Sequence, residues 1–415
     1  MEEPGRIALR ESEVPEPEPG AVVLAIHLSG ICGTDKHTFR GEARQYAGTQ
    51  HERDIEYPLI CGHENVGTVA ALGGRVLASD GTELTVGDRV VPGANVPCGR
   101  CHYCINAFPY YFCENLEDYG NSLSLSRPPG LFGGWSQYMY ILPRTPLFRV
   151  PDALPDEVAV LAEVMSVTHG VDTAIALLAM QGAARAGFAV AVLGIGPLGL
   201  CHLIKSRLLG AGFVAATDIL PGRLERAAEF GVDLALNATL MGTDERLAAM
   251  LEATEGRGVD IALDCSGVPA TFTEALRIVR TGGVIVEAGA FVDMGAVQIN
   301  PNADICTRNV SVLGIGGELA THYEPSMRLM LANIDRYPLR SVVSHILPLD
   351  QAQEALVLAQ TGEAMQVALD PRAPLGSAGG PASMWATSPR PRANTIPTDL
   401  ATHPVVALVA ATATS

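Results

Sequence analysis

Four cysteines stand close together in the first half of this 415-residue chain. The segment reads Cys98-Gly-Arg-Cys101-His-Tyr-Cys104, and Cys113 follows after eight intervening residues. Two successive C-x-x-C steps and a nearby fourth thiol can surround one tetrahedral zinc ion, which constrains how the surrounding loop folds. Because all four positions are thiols, no coordination position is left for a substrate, so the cluster predicts a structural zinc site. Pairing of these thiols in disulfides is the alternative.

The composition argues against several kinds of partner. Lys and Arg number 28 against 45 Asp and Glu, which gives a net charge of −17, and so acidic a chain is a poor candidate for binding nucleic acid or an anionic membrane. Nine cysteines are too few for a secreted disulfide scaffold, which favours metal ligation in the cytoplasm. No signal peptide is evident at the N-terminus, and the longest apolar run, 188–200, is too short to span a bilayer. We therefore expect a cytoplasmic protein without membrane or nucleic-acid partners.

The composition and the hydrophobic pattern of the chain change near Pro151. Before it, glycine, proline and short β-branched runs predict a mostly antiparallel β-domain. After it, apolar strands alternate with helices, which is typical of a parallel sheet covered on both faces. The last segment, 372–415, is dominated by Ala, Pro, Thr and Ser and predicts a disordered tail. Packing of the apolar run that begins at Val405 is the alternative for part of this tail.

A glycine-rich turn lies between a predicted strand and a predicted helix and reads Gly194-Ile195-Gly196-Pro197-Leu198-Gly199. Asp218 closes the next strand 19 residues later, which is the context of a dinucleotide-binding fingerprint. The first glycine permits the tight turn, the second lets a pyrophosphate approach the helix N-terminus, and the third lets helix and strand pack closely. A carboxylate at Asp218 would accept hydrogen bonds from a ribose and repel a 2′-phosphate, so the pattern favours NAD over NADP. We count Arg223 with this cofactor-binding set. A plain glycine turn without a ligand is the alternative.

A second candidate metal site lies upstream of the cysteine cluster. Cys32-Gly-Thr34-Asp35-Lys-His37 follows a predicted strand, and Gly62-His63-Glu64 comes 30 residues later. One thiolate and one imidazole would leave a zinc ion open to water or substrate. Each residue alone has a simpler explanation, because single cysteines are often small core residues and single histidines are often on the surface.

Together, these motifs resemble those of the zinc-dependent medium-chain alcohol and polyol dehydrogenases, in particular the threonine and sorbitol dehydrogenases. The resemblance covers roughly residues 5–370. It implies an α/β fold with a β-rich, GroES-like catalytic domain (1–162 and 311–371) and an NAD-binding Rossmann domain with a doubly wound parallel sheet (163–310). It rests on the motifs above together with Gly87-Asp88-Arg89-Val90 and Gly133-Gly134-Trp-Ser-Gln-Tyr138.

The resemblance implies a ligand set for a catalytic zinc. Cys32 and His63 match its ligands, and Glu64 matches an acidic neighbour that ligates zinc transiently or supports it from close by. Glu163 falls where the third protein ligand sits, although Val164 replaces the proline that often follows it. Cys98, Cys101, Cys104 and Cys113 match the structural zinc site, with a last gap of eight residues where seven is usual in the family.

The resemblance also implies the catalytic side chains. Thr34 matches the hydroxyl that hydrogen-bonds the substrate alcohol, His37 matches the outer member of a proton relay, and Asp35 matches the carboxylate that orients His63. The implied reaction passes a hydride between a secondary alcohol and NAD, with two zinc ions per chain. A homodimer or homotetramer acting on a small-molecule alcohol or ketone is expected. A non-catalytic protein that binds NAD(H) and holds only the structural zinc is the alternative function.

Overall fold

The computed structural model describes residues 1–45, 51–382 and 404–408. The strands are β1 Leu9–Glu13, β2 Val22–Gly30, β3 Arg44–Gln45, β4 Arg53–Asp54, β5 Asn65–Leu72, β6 Arg89–Pro92, β7 Asn95–Val96, β8 Glu117–Asp118, β9 Tyr138–Ile141, β10 Leu147–Arg149, β11 Ala189–Leu193, β12 Phe213–Asp218, β13 Leu234–Asn237, β14 Val259–Asp264, β15 Val279–Glu287, β16 Ser311–Gly314, β17 Val343–Pro348, β18 Gln366–Asp370, β19 Gly380–Pro381 and β20 Pro404–Leu408. The α-helices are α1 Gly33–Arg40, α2 His102–Ile105, α3 Asp156–Ala159, α4 Ala162–Val167, α5 His169–Met180, α6 Pro197–Leu208, α7 Pro221–Glu229, α8 Thr243–Ala253, α9 Pro269–Ile278, α10 Ala320–Ala332 and α11 Ala352–Leu358.

The chain forms two compact units. The first contains Met1–Glu163, Leu319–Ile334 and the described residues from Leu339 onward. The second contains Val164–Glu318 and Asp335–Pro338. Each unit has its own cluster of buried apolar side chains.

The first unit is built on an eight-stranded sheet in the order β10-β6-β5-β2-β18-β17-β19, with β9 also paired to β2. All of these pairs are antiparallel except β17 with β18. Strand β2 lies at the centre and is buried along almost its whole length, as its apolar sequence requires. In its pairing with β5, Ser29 lies opposite Asn65. The residues that follow β2 and the residues that precede β5 are therefore close together.

The second unit is a six-stranded, fully parallel sheet in the order β13-β12-β11-β14-β15-β16. The strand order 3-2-1-4-5-6 and the intervening helices are those of the doubly wound dinucleotide-binding fold. The predicted α/β class and both types of domain are confirmed.

Parts of the segment 372–415 are ordered. Strand β19 pairs with β17, and β20 pairs with β1 over five residues, so the described stretches 372–382 and 404–408 are not the featureless tail that the composition predicts. Backbone pairing explains the difference, because an edge strand can recruit a segment of low sequence complexity through its free N–H and C=O groups. The rest of that predicted tail, 383–403 and 409–415, lies outside the described residues.

One helical stretch, Asp156–Met180, is long and apolar enough to cross a membrane by length and composition alone. Within it, 78% of the most apolar 18-residue segment is buried. Such burial is typical of the core helix of a soluble protein.

Candidate active site and cofactor-binding turn

The candidate metal ligands lie where β2 ends and β5 begins. Cys32 follows β2, and His63 with Glu64 precedes β5, so the antiparallel pairing of these two strands places the three residues together. Their candidate ligand atoms all lie within 4.8 Å of one another. A thiol, an imidazole and a carboxyl group are donors that zinc accepts, so these residues fit a zinc ion.

The electrostatics of this site are dominated by buried acidic groups. Burial raises the pKa of the Cys32 thiol, and Glu64 and Glu163 add to the rise while His63 opposes it. Burial also raises the pKa of Glu64 to about 7. For His63, burial disfavours the charged ring, but the acidic groups around it, Cys32 and Asp35 foremost, raise its pKa well above the usual value. Glu64, Asp35 and Glu163 are buried acids around the half-buried Cys32 and His63, and such a set of acidic groups favours a bound cation.

Glu163 is not one of the residues whose ligand atoms lie within 4.8 Å of one another. Its side chain is buried at the start of α4 and is near enough to act electrostatically on both Cys32 and His63. Its role as the third ligand stays a prediction.

Asp35 connects the two loops that carry the candidate ligands. It lies in the first turn of α1 and is almost fully buried. Its two carboxylate oxygens accept hydrogen bonds from the backbone N–H groups of Cys32 (2.8 Å) and Gly62 (3.3 Å). The sequence predicts that Asp35 orients His63. The two hydrogen bonds of Asp35 hold the backbone beside each ligand, and its charge acts on the His63 ring, so the orienting role stays a prediction.

Thr34 and His37 occupy opposite ends of the predicted proton relay. Thr34 Oγ1 lies 3.8 Å from Cys32 Sγ. The His37 side chain is one-quarter exposed, and its Nδ1 lies 2.8 Å from Glu42 Oε2. Thr34 therefore lies at the candidate metal site and His37 borders solvent. Their relay roles stay predictions.

The four clustered cysteines converge on one point. Their Sγ atoms lie within 4.8 Å of one another, and those of Cys101 and Cys113 are 3.9 Å apart. Four thiolates at about 2.3 Å from a tetrahedral zinc would be separated by roughly 3.75 Å, whereas a disulfide needs about 2.05 Å. Backbone N–H groups hold the pKa of Cys101 at about 6, whereas burial raises that of Cys113 to about 12. The extra residue before Cys113 does not keep its sulfur out of the cluster.

The glycine turn between β11 and α6 has three glycines in three different surroundings. Gly194 has a left-handed φ of +89°, and a Cβ there would lie 2.8 Å from Ser266 Cα. A Cβ on Gly199 would lie 1.8 Å from the carbonyl oxygen of Gly194. A Cβ on Gly196, in contrast, would meet only Arg223 Nη1, at 3.8 Å. Packing against the described residues thus explains the first and third glycines but not the second. The space beside Gly196 fits the pyrophosphate of a dinucleotide.

Asp218 holds this turn in place. Its carboxylate accepts hydrogen bonds from the backbone N–H groups of Ile195 (2.7 Å) and Leu220 (2.9 Å). Arg223 Nη1 lies 3.7 Å from the same carboxylate. Helix α6 begins with Pro197 and Leu198. Proline is tolerated at this first position because the N–H group that it lacks would have no partner within the helix. Contact of these residues with a cofactor stays a prediction.

Two features of these sites were not identified from the sequence. Gln366 on β18 donates a hydrogen bond to Glu64 from 302 positions away, and no local motif marks it. Glu287 lies directly beside Asp264 in the register of β15 and β14. Burial, with the neighbouring Asp264, raises the pKa of Glu287 to about 7. A charged residue directly after the apolar run 284–286 was the available signal for this pair.

Two family models match the chain. The alcohol dehydrogenase GroES-like domain matches residues 18–152, and the zinc-binding dehydrogenase domain matches residues 197–332. A probable alcohol dehydrogenase of Mycobacterium tuberculosis is 32% identical over 363 residues, which cover 86% of this chain and 92% of the relative. An L-threonine 3-dehydrogenase of Deinococcus deserti is 30% identical, with 87% and 94% covered. The solved alcohol dehydrogenase of Thermotoga maritima superposes with a TM-score of 0.75 at 29% identity, with 86% and 93% covered.

Proposed function

The chain belongs to the zinc-dependent medium-chain alcohol and polyol dehydrogenases, oxidoreductases that act on CH–OH groups, and we propose that it oxidises a secondary alcohol with NAD at a catalytic centre formed by Cys32, His63 and Glu163. The observation that carries this proposal is the group of Cys32, His63 and Glu64 at the junction of β2 and β5. Polyols, amino alcohols and cyclic alcohols are the proposed substrate classes.

The chain supplies two zinc sites in this proposal. Cys98, Cys101, Cys104 and Cys113 hold a structural ion, because four thiolates leave no open position. Cys32, His63 and Glu163 hold the second ion and leave room for substrate, while Glu64 supports it. When bound, zinc would supply the Lewis acidity that makes an alcohol easier to ionise, and NAD would supply the hydride acceptor.

The remaining steps depend on side chains of this protein. Thr34 accepts the proton of the substrate hydroxyl as it passes its own hydroxyl proton on toward His37, which releases a proton to solvent through a side chain that is one-quarter exposed. Asp35 keeps the Cys32 and His63 loops in register through its two backbone hydrogen bonds. The turn 194–199 with Asp218 and Arg223 would bind the cofactor and would hold its pyrophosphate at the start of α6.

Metal analysis with a matched pair of cysteine variants tests the catalytic centre. We expect about two zinc ions per wild-type chain, one in Cys32→Ser, and two in Cys306→Ser, which alters an exposed cysteine outside both metal groups. Cys32→Ser should lose turnover and still bind NAD. A wild-type chain that holds only one zinc ion, with the same content in Cys32→Ser, would instead support the non-catalytic NAD(H)-binding protein. Turnover that persists in Cys32→Ser would refute the assignment.

Two further experiments address the cofactor and the substrate. Asp218→Ala should weaken NAD binding and reduce discrimination against NADP, and an unchanged NAD/NADP preference would exclude Asp218 as the ribose partner. A screen with NAD against secondary alcohols, polyols, amino alcohols and cyclic alcohols identifies the substrate class. We also propose a cytoplasmic homodimer or homotetramer, which sedimentation analysis of the holoenzyme tests.

A further inference from the structure

We propose that Gln366 is a positioning residue that fixes where the Glu64 carboxylate rests beside the Cys32 and His63 centre and so controls how closely Glu64 approaches the metal. This inference rests on the proposed centre at Cys32 and His63. It assigns to a residue of β18, 302 positions from Glu64 in sequence, a part in the same reaction.

The contact between the two side chains is short and dry. Gln366 Nε2 donates to Glu64 Oε2 at 2.5 Å, and each residue is only 1% exposed. The same amide nitrogen lies 3.4 Å from the carbonyl oxygen of Ile31, which directly precedes Cys32. In a buried environment, a donor to a carboxylate is a strong determinant of where that carboxylate rests.

The surroundings of Glu64 restrict its side chain to few positions. A Cβ on Gly30 would lie 2.0 Å from Glu64 Oε2 and 2.9 Å from Gln366 Nε2. Glycine at position 30 therefore makes room for this hydrogen bond at the end of β2. With β2 on one side and Gln366 on another, the carboxyl group faces the candidate ligands, and it lies within hydrogen-bonding reach of the Cys32 thiol.

Glu64 thus has two competing partners. One is the Gln366 amide, and the other is the centre that Cys32 and His63 form within 4.8 Å of it. A hydrogen bond that holds the carboxylate on one partner weakens its binding to the other. Loss of the Gln366 donor should shift Glu64 toward the metal.

The Gln366 side chain itself suggests a role beyond packing. Its Oε1 atom is buried and has no hydrogen-bond donor among the described residues. A buried acceptor without a donor costs stability, and an apolar side chain of similar size would avoid that cost. The amide is therefore best explained by what its nitrogen binds.

The test uses the holoenzyme with cobalt as a probe of the open site. A chelator removes the accessible metal, Co²⁺ replaces it, and Cys32→Ser identifies the visible bands that belong to this site. We compare wild type, Gln366→Leu, which removes the donor, and Gln366→Lys, which returns one. The measurements are the visible spectrum and the rate of Co²⁺ release to excess chelator.

We expect Gln366→Leu to give the spectrum of a more highly coordinated ion and to release Co²⁺ more slowly, on the order of tenfold, as a lost hydrogen bond to a charged group allows. Gln366→Lys should restore both properties toward wild type. In a Glu64→Gln background, Gln366→Leu should have no further effect, which a merely structural role of Gln366 does not predict.

The outcomes separate this inference from the proposed function. If Cys32→Ser still takes up the same Co²⁺ bands, the proposed centre is wrong. If Cys32→Ser loses those bands but folded Gln366→Leu retains the wild-type spectrum and release rate, only the role of Gln366 is refuted. An equal spectral change in the Glu64→Gln background would also refute it.

Discussion

A buried ion pair in the second unit permits a quantitative test of how that unit is stabilised. Arg246 on α8 and Glu274 on α9 form two parallel contacts, Nε–Oε1 at 3.1 Å and Nη2–Oε2 at 2.5 Å. Their side chains are 8% and 5% exposed. Arg246 also donates to the carbonyl oxygen of Met241 at 2.6 Å. The guanidinium group is thus fixed in place, with Glu274 as its counter-ion.

Removal of this counter-ion should be costly. Two unit charges about 4 Å apart attract by ~4 kcal/mol at an effective dielectric constant of 20, and loss of one partner of a buried pair costs ~3–5 kcal/mol. Glu274→Gln keeps the shape of the side chain but leaves the Arg246 charge uncompensated. We therefore expect a loss of about 3 kcal/mol. For a domain of this size, that corresponds to a decrease in Tm of roughly 6–12 °C.

The same two helices provide the control. Arg277 Nη2 on α9 lies 2.7 Å from Asp244 Oδ1 on α8, but these side chains are 54% and 87% exposed. An exposed pair contributes ~0–1 kcal/mol, so Asp244→Asn should change Tm by no more than about 2–4 °C. Scanning calorimetry of the holoenzyme gives both shifts, and hydrogen exchange of residues 243–278 shows whether the loss is local to α8 and α9.

The comparison between the two variants decides the result. If Glu274→Gln and Asp244→Asn shift the transition equally, burial does not set the strength of these pairs. Combining Arg246→Met with Glu274→Gln should recover part of the lost stability, because no buried charge then remains. A double variant less stable than Glu274→Gln would contradict the argument from an uncompensated charge.

Three further predictions concern glycines and a buried acid. Gly62→Ala should lower the metal content of the open site and the turnover, because the Cβ at this position next to His63 would lie 2.4 Å from Ser29 Oγ. Gly87→Ala is the control and should retain both, because Gly87 has a similar φ of +98° and its Cβ would meet no atom within 4 Å. Gly196→Ala should weaken NAD binding by tenfold or more in calorimetric titration with Tm unchanged, whereas Gly199→Ala should lower Tm, because its Cβ meets a carbonyl oxygen at 1.8 Å. Burial raises the pKa of Glu287 to about 7, so this residue lowers the free energy of unfolding progressively as the pH rises from about 4.5 to 7. Glu287→Gln should therefore have a free energy of unfolding ~1–2 kcal/mol above wild type at pH 8 and equal to wild type at pH 4. An equal effect at both pH values would contradict this prediction.

Spacing along the chain predicted the parts of the sites that are local. The cysteine cluster spans 16 residues, so the sequence itself brings its sulfur atoms together once the loop folds. The glycine turn is equally local, because a strand, a turn and a helix follow each other directly. The link between Cys32 and His63 needed the family resemblance, since only the pairing of β2 with β5 brings them together.

The sequence was less informative where a side chain acts across the fold. Gln366 reaches Glu64 because β18 pairs with the end of β2, with Ala368 opposite Gly30, and a single glutamine gives no sign of this. The hydrogen bonds of Asp35 were also not predictable in detail. Whether its carboxylate turns to an imidazole or to two backbone N–H groups depends on the path of the Gly62 loop, which is set by packing rather than by spacing.

The antiparallel pairing of β2 with β5 and β18 therefore does more than form a sheet. It brings Cys32, His63, Glu64 and Gln366 together at the same end of these three strands. Asp35 and Glu64, beside the ends of β2 and β5, are buried acids, and buried acids close together are stable only with a cation or a proton among them. The buried acids at these strand ends therefore favour a bound cation before any substrate binds. Because the Gln366 amide on β18 is neutral, it can position Glu64 without compensating the negative charge that favours the cation.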